Sequence, residues 1–93
     1  MADPVYIGDI GTEIVLDLGE DVTAATVRSI VAMKPDYTHV HWTATADGTT
    51  AIKYVTQAGD LDTLGVWDIQ PYVEMPAWKG FGDVVQLVVK PIL

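Results

Sequence analysis

The sequence predicts an all-β fold, a sandwich of two antiparallel sheets with about seven strands, in one domain covering residues 1–93. Three observations predict it. Apolar residues recur with a period of two in segment after segment. Turn-forming Gly, Asp and Pro separate these segments at intervals of roughly 8–12 residues. A chain of 93 residues holds one core and leaves no room for a second. A partly open barrel satisfies the same pattern and is the structural rival.

Residues 5–7 are a short apolar run closed by Gly8-Asp9. After Gly11-Thr12, Ile14, Leu16 and Leu18 alternate with Glu13, Val15 and Asp17, as in a half-buried strand, and residues 19–21 turn the chain. The next stretch carries two signals. Asp21 can cap a helix starting at Val22, and Ala24, Ala25 and Ala32 favour one. Thr26, Val27, Ile30 and Val31 are β-branched, however, and Val27, Ser29, Val31 and Met33 share one face of a strand. With strands on both sides, residues 26–34 are read as a strand that Pro35-Asp36 stops. Residues 38–46 put Val40, Trp42 and Ala44 on one face and His39, His41 and Thr43 on the other. Asp47-Gly48 is a strong hairpin signal, and residues 49–56 return with Ile52 and Tyr54 in phase. Residues 57–63 are polar and turn-like. Residues 65–73 bring Trp67, Ile69 and Val73 into phase, and residues 83–90 do the same for Val85, Leu87 and Val89 before Pro91.

Composition narrows the function classes. Thirteen acidic against five basic residues give a formal charge of −8, and Arg28, Lys34, Lys53, Lys79 and Lys90 stand singly. Such a chain repels phosphate backbones and anionic lipid, so neither a nucleic acid nor a membrane is expected as a partner. The absence of cysteine removes disulfides, thiolate metal sites and cysteine nucleophiles. Met1-Ala2-Asp3-Pro4 lacks the basic and apolar regions of a signal peptide, and no run reaches membrane-spanning length, so a soluble product is expected. Hydrophobic residues make up 49% of the chain, more than a small monomer easily hides, which points to cover by a partner chain.

The corner at residues 61–69 has the form of the turn into the sixth strand of many immunoglobulin-like domains. A small residue is followed two positions later by an aromatic ring and then by a buried residue, places filled by Gly65, Trp67 and Ile69. The usual ring is tyrosine; here an indole N–H stands where a tyrosine hydroxyl closes the corner. A wider resemblance runs through Gly8-Asp9, Gly11, the stretch at residues 21–26, Met33-Lys34-Pro35-Asp36, the Trp67 corner and the terminal run at residues 83–89. This order resembles the immunoglobulin-like N-terminal domains of phage baseplate upper proteins and small stand-alone phage tail proteins. The resemblance implies an immunoglobulin-like antiparallel β-sandwich that joins fibres or receptor-binding modules to a tail or capsid, usually within an oligomer. It implies a virion location, after assembly in the bacterial cytoplasm, and partners among other virion proteins or further copies of the chain. Where that family places glycine after Lys-Pro-Asp, this chain has Tyr37.

No catalytic, cofactor or metal site is expected. His39 and His41 project to one side of a strand and could share zinc, but no spacing supplies a third ligand. Asp60, Asp62 and Asp68 lack the glycine and terminal glutamate of an EF-hand and are read as solvated acids. No pair of acids is singled out for glycoside hydrolysis, and neither a phosphate-binding loop nor a G-x-S-x-G elbow occurs. The candidate working surface is the stretch at residues 71–82, read as a loop carrying Tyr72, Met75, Trp78 and Phe81, residue types frequent at interface hot spots. Alternatively, Trp78 and Phe81 fold back and cap the core. Val15, Ile30, Ala32, Val84 and Val88 are assigned to outer strand faces, where a sandwich usually places polar groups, and so to contact with another subunit. Assembly is the first functional expectation. The second is a recognition module that binds carbohydrate or a cell-surface protein through Trp42 and Trp78.

Overall fold

A computed structural model describes residues 5–92, so the reading of Met1–Pro4 lies outside the described residues. Nine strands follow one another: β1 (Val5–Tyr6), β2 (Glu13–Asp17), β3 (Val27–Met33), β4 (His39–Thr43), β5 (Thr45–Asp47), β6 (Ala51–Val55), β7 (Gly65–Met75), β8 (Trp78–Phe81) and β9 (Val85–Lys90). Two arise beyond the expected seven. The expected strand at residues 38–46 divides at Ala44, and the expected loop at residues 71–82 pairs as a hairpin.

The strands form two sheets. The larger runs β1-β9-β7-β3-β4, with β8 also on β7, and the smaller runs β2-β6-β5. The two sheets face each other in a sandwich-like arrangement, with β4 extending the larger sheet beyond β3. All pairings are antiparallel except the short β1–β9 pair. The chain crosses between sheets at Ala44, whose N–H still donates to the Arg28 carbonyl at 2.9 Å before β5 begins. Among the described residues no helix is long and apolar enough to cross a membrane.

The core lies between the sheets. Ile14 and Leu16 of β2 and Ile52 of β6 meet Ile30 and Ala32 of β3, Trp67, Ile69 and Val73 of β7, and Leu87 and Val89 of β9. Trp42 stacks on partly buried Tyr54 at 4.9 Å between centroids and lies 6.1 Å from Trp67. The Trp67 indole N–H donates to the Thr63 carbonyl at 2.9 Å and closes the corner from the inside. Gly65 makes this corner possible. Its φ is +122°, and a Cβ there would meet Pro35 Cγ at 2.9 Å.

The phase of β3 is the reverse of that expected. Ile30 and Ala32 are fully buried, whereas Val27, Ser29, Val31 and Met33 lie on the outer side. Both alternating sets of this strand are apolar, so periodicity alone cannot orient it. Register does: Ile30 pairs with Trp42 on one side and Pro71 on the other, and Ala32 pairs with Ile69. Ile30 is therefore a core residue and unavailable to a partner.

Pro71 sits in the middle of β7, a position that normally rejects proline. Along one edge, β7 pairs with β9 from Gly65 to Ile69 and with β8 from Tyr72 to Met75. Pro71 falls at the handover, and its carbonyl accepts from Gly82 N–H at 3.0 Å on that side. Within a strand the N–H and C=O of one residue point the same way. The donor that proline lacks would thus face the gap between β9 and β8, where no ladder bond is due.

Candidate interaction surface

Of the residues expected at a contact surface, the structure gathers Tyr72, Phe81, Val84 and Val88 on or beside the outer face of the larger sheet. Val66 and Val88 pair directly across β7 and β9 and are 47% and 44% exposed. Tyr72 and Phe81 pair across β7 and β8, with ring centroids 4.8 Å apart and a tilt of 47°. Phe81 and Val84 are each more than half exposed. Two shallow depressions run along this face and share Val31. Ser29, His41, Tyr72 and Phe81 complete one; Met33, His39, Asp68, Gln70 and Val84 complete the other.

Polar groups frame the apolar centre. The Tyr72 hydroxyl donates to Glu74 Oε2 at 2.8 Å, a bond that raises the phenol pKa, and Lys79 Nζ stands 3.8 Å from Glu74 Oε1. Gln70 Nε2 donates to the Gly82 carbonyl at 2.9 Å and ties the start of the last strand to β7. His39 and His41 share this face, but among the described residues no third His, Asp or Glu joins them in a metal-holding group. The three acids Asp60, Asp62 and Asp68 stand apart from one another. Asp60 accepts from the Gln57 N–H and the Tyr54 hydroxyl. Asp62 pairs with Lys34 Nζ at 2.9 Å, and Asp68 lines the outer face.

Other expected contact residues lie elsewhere. Val15 is exposed on the opposite side of the sandwich, on the smaller sheet. Met75 packs partly against the core, and its strand pairs with that of Trp78 across a tight two-residue turn. Trp78 is partly exposed, with its indole folded onto Gly80 rather than over the core. Trp42 is buried within the aromatic stack, so it cannot serve as a surface platform for a sugar ring, and the recognition reading loses one of its two tryptophans.

Sequence reasoning missed two free sheet edges, those of β4 and β2. The β3–β4 ladder is bracketed by hydrogen bonds at Lys34–Thr38 and Arg28–Ala44. Antiparallel pairs alternate between bonded and non-bonded, so Val40 and Trp42 bond to β3. His39, His41 and Thr43 therefore point their N–H and C=O groups outward, and β4 has no second neighbour among the described residues. On β2, the bonds Thr56–Thr12 and Leu18–Thr50 set the same alternation. There Glu13, Val15 and Asp17 face the free edge. Which strand lies at an edge is a property of topology and leaves no mark on local periodicity.

Compared with known protein families, curated proteins and solved structures, the chain matches none.

Proposed function

We propose that this chain is a non-catalytic assembly domain of a bacteriophage particle, associated with the tail or virion, that acts through protein–protein contacts. The observation that carries the contact reading is the set of exposed apolar side chains on the outer face of the larger sheet, Val66 against Val88 toward one end of β7 and Tyr72, Phe81 and Val84 toward the other. A sheet facing only water carries polar side chains on its outer side; here exposed Val66, Val88, Tyr72, Phe81 and Val84 stand among Asp68, Gln70, Glu74 and Gln86. The phage reading rests on the order of short motifs from Gly8-Asp9 to the run at residues 83–89, which resembles the immunoglobulin-like domains of phage baseplate upper proteins. In this reading the partners are other virion proteins or further copies of the chain, met in the bacterial cytoplasm and retained in the particle. A charge of −8 keeps the domain away from packaged nucleic acid and from anionic membranes.

The test is particle composition. Phage that carry the wild-type gene should contain the protein in purified virions, read by mass spectrometry. The double substitution Val84→Asp, Val88→Asp should leave a folded protein, because both side chains are exposed, yet reduce its incorporation by an order of magnitude or more. Absence of the wild-type protein from purified particles would sink the proposal, as would full incorporation of the double variant.

A further inference from the structure

We infer that the free edge of β4 pairs antiparallel with β4 of a second copy, joining two larger sheets into one continuous sheet across a twofold axis. The inference deepens the assembly reading and rests on it, by naming a partner and the strand through which it is held.

Four observations converge on this edge. Its main-chain groups are unpartnered among the described residues: the N–H and C=O of His39, His41 and Thr43 face outward, and β3 is the only neighbour of β4. A strand edge of this kind is a template for another strand, and proteins that avoid such pairing place charge or proline there. β4 holds neither. Its sequence is His-Val-His-Trp-Thr, with no Asp, Glu, Lys, Arg or Pro. The other edges are guarded. β2 shows Glu13 and Asp17, β8 shows Lys79, β1 has two residues, and β5 has three and ends in Asp47.

The edge is also self-complementary in register. If His41 lies on the twofold axis, His41 of each copy exchanges hydrogen bonds with His41 of the other. His39 then bonds with Thr43 of the second copy, and Thr43 with its His39, so every outward donor and acceptor of the strand is used. The same register sets Val40 of one copy beside Trp42 of the other on the inner side. There partly buried Val40 adds apolar contact. In a chain of charge −8, this strand is where a second acidic copy can approach without placing carboxylates opposite one another.

Light scattering and sedimentation equilibrium over a wide concentration range test this at neutral pH and physiological salt. The wild type should form a dimer and no larger species. Amide exchange at His39, His41 and Thr43 should slow as protein concentration rises, while exchange at Glu13, Val15 and Asp17 stays unchanged. His41→Lys places two ammonium groups opposite each other on the axis and should raise the dissociation constant at least tenfold. Thr43→Pro removes an outward N–H that the monomer does not use and should have a similar effect. Val15→Lys, on the other free edge, should leave the dimer intact. A wild type that stays monomeric at every concentration overturns the inference, as does a dimer indifferent to both β4 substitutions. Neither result touches the assembly reading, which fails only if the protein is missing from particles or needs none of the outer-face residues.

Discussion

β2 and β4 are built alike and treated differently. Each is a five-residue edge strand whose alternate residues fill the core: Ile14 and Leu16 in β2, Val40 and Trp42 in β4. Each turns the main chain of its other three residues outward. The difference lies in those three side chains, Glu-Val-Asp on β2 and His-His-Thr on β4. Paired with itself about Val15, β2 would set Glu13 against Asp17 of a second copy, and like charges directly opposite destabilise a sheet pair. The contrast teaches that the inner face of an edge strand fixes its place in the fold, while three outward residues decide whether the edge is closed to its own kind.

The comparison breaks hardest at the inner faces, where the two strands should behave alike. Trp42→Ala should cost about 3–5 kcal/mol and Leu16→Ala about 2–5 kcal/mol, measured by chemical denaturation, since both side chains are buried in one shared core. A cost below about 1 kcal/mol at either would mean that strand is not held by its inner face.

The edges should then respond to exchange. Glu13→Thr with Asp17→Thr gives β2 an uncharged edge and should add concentration-dependent association beyond the wild type, by a factor of about ten or more in affinity, or about 1.4 kcal/mol. Unchanged association would show that charge is not what closes β2.

A smaller effect concerns how β4 is launched. The turn after β3 closes with Tyr37 N–H donating to the Lys34 carbonyl at 2.8 Å and Thr38 N–H held by Asp36 Oδ1 at 3.1 Å. Tyr37 has a φ of +70°, which a side chain resists by roughly 1–2 kcal/mol. Tyr37→Gly removes that strain but loses about 0.5–1 kcal/mol to the freer unfolded chain. A net gain of about 0.5–1 kcal/mol in thermal or chemical unfolding is expected. Tyr37 is 76% exposed, so little packing is lost.

The mildest perturbations are titrations of groups that tie the strands together. Tyr54 pairs with Ile14 of β2 and stacks on Trp42 of β4, so it links the two edges through the core. Burial, together with the bond to the Asp60 carboxylate, pushes its phenol up to about 12. Because the folded value lies above the unfolded one of about 10, this contribution to stability is complete below pH ~10 and vanishes as pH rises to about 12. Ultraviolet titration should show the last tyrosine ionising near pH 12, and Tyr54→Phe should remove that step. At the acid end, the Lys34 ammonium beside Asp62 holds its carboxyl below the usual range. Its contribution is present at neutral pH and lost as pH falls through that lowered value. Asp62→Asn should flatten the acid limb and cost no more than about 1 kcal/mol at neutral pH, as for an exposed pair.

Much of the fold is legible in the sequence, and the reason is burial on one side. Ile14 and Leu16, Trp67 and Ile69, and Leu87 and Val89 alternate with exposed neighbours because each strand packs a single face. Asp47-Gly48 marks its turn because Gly48 adopts a positive φ of 69°. β3 escapes this logic because both of its faces are apolar. The hairpin of β7 and β8 escapes it because Pro71 and Pro76 read as loop residues, and only tertiary pairing shows that one lies at a handover and the other in a turn. The outer-face residues Tyr72, Phe81, Val84 and Val88 could be singled out by residue type. The edge of β4 could not, because being last in a sheet depends on which strands fail to arrive.

Pro71 has a further consequence. Because the ladder along that side of β7 is cut into two separate zips, β8 is anchored to the frame through β7 alone and owes nothing to the register of β9, while Tyr72 to Glu74 stay paired with β3 and Val73 stays in the core. The turn at residues 76–77 can be lengthened, shortened or replaced without shifting Leu87 and Val89 in the core. The domain thus carries an interchangeable fingertip on a fixed hand, a place where binding preference can drift while the fold stays still.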